Sequence, residues 1–125
     1  MSVRLGTGTG TFGAASIYAV GTNPYTMALG DFNGDGRLDL VTANLTSNTV
    51  SVLLGTGTGT FLAKVDYAVG TSPLGVTVGD FNGDGRLDLT VSNNGDNTVG
   101  VLLGTGAGTF LPMVTTQWGR ILPAP

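Results

Sequence analysis

The 125-residue chain has no cysteine, no histidine and no glutamate. Without cysteine there is no disulfide and no thiolate metal site. Without histidine, Ser-His-Asp and Cys-His catalysis and the usual zinc sites are excluded. Its five basic residues are scattered, and two of them, Arg37 and Arg86, lie inside acidic segments. They make no nucleic-acid footprint. No apolar run reaches membrane-spanning length, so membrane insertion is not expected. The opening MSVRLGTG has no signal-peptide apolar region, so an exported form would need a targeting segment absent from this chain.

What remains is concentrated. All eight acidic residues are aspartate, and six lie in GDFNGDGRLDL, written identically at Gly30–Leu40 and Gly79–Leu89. The other two are Asp66 and Asp96. The net charge of −3 is therefore localised. Two bound Ca²⁺ would take it to about +1. The 22 glycines and many threonines favour short strands and tight turns over helices.

The whole chain repeats with the same step. LGTGTGTF at Leu5–Phe12 returns at Leu54–Phe61 and, as LGTGAGTF, at Leu103–Phe110, 49 residues apart each time. Residues 13–61 and 62–110 agree at 31 of 49 positions, which marks a repeat array rather than one irregular domain.

Each unit reads as four short strands. Tyr25–Leu29 and Leu74–Val78 alternate with period two. After the aspartate loop come Leu38–Ala43 and Leu87–Ser92, then polar turns at Asn44–Asn48 and Asn93–Asn97. The third strands are Thr49–Leu54 and Thr98–Leu103. Their apolar density predicts burial on both faces. Val65–Val69 and Pro112–Trp118 are fourth strands. Residues 1–20 supply the outer half of a unit (strands three and four), 21–69 and 70–119 are full units, and 120–125 is a tail. The expected class is all-β: blades of four antiparallel strands, an incomplete ring in a single chain.

The aspartate loop has the chemistry of a hard-cation site. Counting Asp31 as position 1, oxygen donors fall at Asp31, Asn33, Asp35 and Asp39, and in the second copy at Asp80, Asn82, Asp84 and Asp88. Gly36 permits the sharp turn. Arg37 and Arg86 can offer only their backbone carbonyls, and Leu38 is expected to anchor the loop in the core. This opening resembles an EF-hand or dockerin loop. Those need an acidic residue at position 12, where this chain has Thr42 and Val91. A loop of Asp, Asn and Gly can serve as a turn alone. Three carboxylates so close repel one another unless neutralised, and a plain turn needs one or two. Mg²⁺ suits the loop less well, since it prefers a compact, water-rich octahedron.

These residues, with Val52-Leu53-Leu54-Gly55 and Gly59-Thr60-Phe61, carry a resemblance to the FG-GAP/VCBS repeat of integrin-α-like β-propellers. It covers nearly the whole chain. The resemblance implies four-stranded blades with Ca²⁺ between first and second strands. One site is then Asp31, Asn33, Asp35, the Arg37 carbonyl and Asp39; the other is Asp80, Asn82, Asp84, the Arg86 carbonyl and Asp88. It also implies a non-enzymatic, secreted module for extracellular recognition or adhesion, with a protein or glycan ligand. Some fungal lectins share the repeat and bind sugars between blades, so a lectin is the alternative. Closed propellers need four to eight blades. Two and a half units leave a fragment of a longer array or a homo-oligomer that completes a ring.

The glycine-rich LGTGTGTF lacks the lysine and following helix of a phosphate-binding loop. It reads as a turn on the same side as the metal loops, closed by Phe12, Phe61 or Phe110 packing into the core. The opposite connections, rich in Asn, Asp and Tyr, suit sugars or extended loops, or are simply solvated turns. Trp118 reads as an edge-strand packing residue. Asp66 and Asp96 lie at unrelated positions in the unit and form no catalytic pair.

Overall fold

The computed structural model describes residues 1–117. The expectations for Trp118, Gly119 and the tail 120–125 concern residues outside this range. Ten strands, and no helix among the described residues, make up the fold. A two-stranded sheet joins β1 (Ser2–Val3) and β2 (Ser16–Ile17). Next comes a four-stranded meander of β3 (Pro24–Gly30), β4 (Asp39–Asn44), β5 (Thr49–Leu53) and β6 (Val65–Ala68). A second meander repeats it with β7 (Pro73–Gly79), β8 (Asp88–Asn93), β9 (Thr98–Leu102) and β10 (Val114–Gln117). All pairs are antiparallel, and the sheets form blade-like layers without closing a ring.

The second strands run one residue later than the periodicity predicts. Asn44 pairs with Pro24 on one side and Thr49 on the other, and Asn93 does the same with Pro73 and Thr98. Both asparagines are fully buried. The Gly70 N–H donates to Asn93 Oδ1 at 2.9 Å. At Gly21 a Cβ would come within 2.5 Å of the Asn44 side chain, so only glycine fits that approach. Pro24 and Pro73 open their strands, where a missing N–H is tolerated.

Alternation places one face of the first meander against the opposite face of the second. Val41, Ala43, Val50 and Val52 meet Val76, Leu89, Val91 and Leu102 in one core cluster, closed by Phe32 and Phe110. Across this seam the Thr26 hydroxyl donates to the Leu74 carbonyl at 2.7 Å. The third strand β5 buries both faces, with Val52 and Leu53 nearly inaccessible, as its apolar density predicts.

The glycine-rich turns owe their sequence to their backbone. Gly57 and Gly59 lie at φ +87° and +84°, which glycine adopts without strain. The alternate threonines clasp the turn: Thr56 Oγ1 lies 2.5 Å from Thr60 Oγ1 and 3.0 Å from Thr58 Oγ1.

Two packing expectations differ from the structure. Leu38 is not a core anchor; it is 61% exposed, whereas its repeat mate Leu87 packs against the core. Phe12 is 67% exposed, while Phe110 is buried. The cause is the neighbouring unit. Phe110 stacks edge-on with Phe32 and Tyr67 of the unit before it, and Phe61 stacks with Tyr18 in the same way. The residues that would flank Phe12 fall 49 places before Tyr18 and are not in this chain.

Candidate metal centre

Each aspartate loop joins the first two strands of a meander and folds around its own carboxylates. In the first, Asp31 Oδ1 accepts from the Gly34 N–H (2.9 Å) and the Asp35 N–H (3.2 Å). Asp31 Oδ2 accepts from the Gly36 N–H at 2.8 Å, and Asp35 Oδ1 from the Arg37 N–H at 2.9 Å. Asp80 and Asp84 make the same bonds to Gly83, Asp84, Gly85 and Arg86. Gly34 and Gly36, at φ +71° and +79°, let these N–H groups turn inward. The Gly36 N–H is the largest influence holding the Asp31 carboxyl below its ordinary value, with Asp35 and Gly34 adding to it against partial desolvation. The Gly85 N–H leads in the same way at Asp80.

Asp39 and Asp88 are fully buried at the starts of β4 and β8. Asp39 Oδ2 accepts from the Phe32 N–H, and its Oδ1 from the Gly55 N–H, both at 2.8 Å. Asp88 holds the Phe81 N–H at 3.0 Å and the Gly104 N–H at 2.8 Å. The closing carboxylate thus ties the aspartate loop to the glycine-rich turn, which puts both on one side of the blade.

In the second loop Asp80, Asp84 and Asp88 each bring a carboxylate oxygen within 4.8 Å of the others. In both loops the asparagine completes a convergence. One orientation of the Asn33 amide puts its oxygen 3.0 Å from Asp31 Oδ1 and 2.9 Å from Asp35 Oδ1. Asn82 stands likewise, at 3.1 Å from Asp80 and 3.0 Å from Asp84. Oxygens that close suit ligands around a shared hard cation. Turned over, the amide nitrogen donates to both carboxylates instead.

No basic side chain neutralises either cluster. Among the described residues the ion pair is Lys64–Asp66, away from the loops. Arg37 turns outward and lies along the glycine turn, where a Cβ at Gly57 would meet its Nε at 2.8 Å. Arg86 lies similarly along Gly106. These arginines keep their guanidinium groups on the turn, leaving only the backbone of positions 37 and 86 within the loop. The donor set is oxygen-only, anionic and uncompensated, which fits a divalent cation.

Four further polar residues carry structure that repeat spacing alone does not reveal. The Thr22 N–H donates to Ser47 Oγ at 2.5 Å, and the Thr71 N–H to Asp96 Oδ2 at 2.7 Å. Ser47 and Asp96 are 49 apart, so an acceptor at both was the available signal. Asp66 is bound by the Ser51 hydroxyl and by Lys64, which together outweigh its desolvation and lower its pKa. Asp66 and Asp96 come together neither with each other nor with the loops in any shared hydrogen bond.

A sequence profile of the FG-GAP-like repeat matches residues 1–42 and 31–91. The chain belongs to the FG-GAP-like repeat family. No curated protein and no solved structure matches it. In this FG-GAP-like chain the two profile matches both take in an aspartate loop, and the meanders are its blade-like units.

Proposed function

We propose that this FG-GAP-like chain is a calcium-stabilised recognition or adhesion module that works outside the cell and has no catalytic activity. The observation that carries it is the convergence of Asp80, Asp84 and Asp88 within 4.8 Å, with no cationic side chain to offset them. The ion would be structural. It would hold the loop between the first two strands, and Asp88 would pass that order to the glycine turn through the Gly104 N–H. A catalytic metal needs an open position and acid-base groups nearby, and neither histidine nor glutamate is available. Ca²⁺ fits better than Mg²⁺ because the loop offers many oxygens on a flexible, glycine-rich backbone. Calorimetric titration of the chelated chain should give two Ca²⁺ per chain; no heat of binding would end this reading.

A carbohydrate ligand is the second reading. It is favoured by a cleft of about 470 Å³ between the two meanders, lined in part by Asp66, Tyr67, Leu102, Phe110 and Met113. An aromatic wall beside a carboxylate suits the apolar face and hydroxyls of a sugar. A glycan array read with Tyr67→Ala as control tests it, and absence of binders removes it. Assembly of several copies into a ring is tested by sedimentation with and without calcium.

A further inference from the structure

The 49-residue repeat supplies its own control for one exposed surface. In the second meander Val76 is 8% exposed, and Leu74, Val78 and Leu87 are partly covered. Their mates in the first meander are Met27 at 53%, Tyr25 at 61%, Leu29 at 51% and Leu38 at 61%. Sequence alone does not explain the contrast, since both sets are apolar and in the same register. What differs is the neighbour. The second set is covered by the inner hairpin β3–loop–β4, whose facing residues are Thr26, Ala28, Val41 and Ala43. The first set faces β1 and β2, which stand only where third and fourth strands belong.

The shape of the gap matches the missing element. β1 pairs with β2 on one edge only. Its counterpart β5 pairs on both, with Thr42 opposite Ser51 and Val41 opposite Val52. Ser2 and Val3 are 49 places before Ser51 and Val52. The open edge of β1 therefore offers the pairing that a second strand uses, next to the uncovered face of β3. A cleft of about 190 Å³ lies there, lined by Met1, Tyr25, Met27 and Thr42 among others.

We infer that this face is a docking site for a free inner β-hairpin of an FG-GAP-like unit supplied by another polypeptide. The hairpin adds its second strand to β1 and lays an apolar face on Met27 and Leu29. This is strand addition combined with side-chain packing, a common mode of peptide recognition. The seam already present in the chain states what the occupant must carry. A small, apolar face such as Ala28, Val41 and Ala43 covers the aliphatic side chains. A hydroxyl in the place of Thr26 reaches the Tyr25 carbonyl, as Thr26 itself reaches that of Leu74. A second copy of this chain does not qualify. Its uncovered hairpin β7–β8 presents Gly75, Thr77, Thr90 and Ser92, and β8 is already paired with β9. The inference is independent of the calcium reading, because the docking face lies on strand side chains and not on the carboxylates.

The test uses the full chain and a peptide copy of residues 21–49, supplied in trans. In a second arm the same segment is fused ahead of Met1, which restores the repeat step and removes any limit of concentration. Occupancy is read as the peroxide oxidation rate of Met27, resolved by peptide mass mapping. In both arms Met27 should be protected severalfold, toward the rate of half-buried Met113. The fusion should also raise the unfolding temperature, and Met27→Lys should abolish that rise. A fused segment 70–98, with its polar face, should protect less. Met27 oxidised equally fast with and without the fused 21–49 segment overturns the inference. So does an unfused chain that sediments as a dimer with Met27 protected, which would give the face to a second copy. Loss of calcium binding with Met27 still protected would remove the metal reading alone.

Discussion

The buried carboxylate of Asp39 accepts the backbone N–H of Gly55 at 2.8 Å, across sixteen residues of chain. The same oxygen pair holds the Phe32 N–H, so one side chain fastens the aspartate loop to the glycine turn. Asp39→Asn would set an amide N–H₂ against one of these two N–H donors. The loss of a charge-assisted bond should cost about 2–3 kcal/mol. Urea unfolding of the variant checks it, and Asp88→Asn should behave alike, since Asp88 makes the equivalent bonds. Gly55→Ala should be at least as severe, because a Cβ there would overlap the Leu38 carbonyl oxygen.

Calcium removal should lower stability in two separable steps. A ligand bound only by the folded state stabilises it by about 2.7 kcal/mol at a concentration 100-fold above its dissociation constant. Asp84→Ala deletes an oxygen from the second cluster and the acceptor of the Arg86 N–H. It should reduce the calcium stoichiometry from two to one and leave the Asp31 loop responsive. An unchanged stoichiometry of two would move the ion away from these residues.

Acid should unfold the chain from the low side of the ordinary aspartate range. Asp31, Asp80 and Asp96 all have folded-state pKa values below normal. A group whose folded value is depressed contributes stability above its unfolded value of about 3.9 and loses it as pH falls through the folded value. At Asp96 the Thr71 N–H is the leading cause. Urea midpoints measured in chelator should therefore be flat from pH 7 to about 5 and fall below about 4. Asp96→Asn should flatten part of that fall; an unaltered pH profile would show that the bond does not persist in solution.

Much of the architecture was legible because the repeat states each pattern twice. Period-two alternation located the strands to within a residue or two, and the Asp-Asn-Asp spacing located both oxygen clusters. Burial was less legible. Leu38 and Leu87 have identical neighbours in sequence, yet one is exposed and the other packed, because burial here belongs to the adjacent unit. The same holds for Phe12 and Phe110. The amide partners of Asp39 were also hidden, since Gly55 is brought to it only by the β4–β5 pairing. Ser47 and Asp96 differ in type and so escaped comparison, although each holds the N–H of the following connection.

That dependence on neighbours predicts a graded series from one substitution made at three equivalent positions. Phe110 is buried against Phe32 and Tyr67, with ring centroids 5.3 and 5.5 Å away. Phe110→Ala should cost about 3–5 kcal/mol, the range for deleting a buried aromatic ring. Phe61 has one aromatic partner, Tyr18, at 5.5 Å, and is half-buried, so Phe61→Ala should cost distinctly less. Phe12 is exposed, and Phe12→Ala should fall within about 0.5 kcal/mol of the parent. Chemical denaturation of the three variants gives the order directly. Equal costs would mean that the three turns are equivalent in solution, and that the packing between units does not set the stability of each.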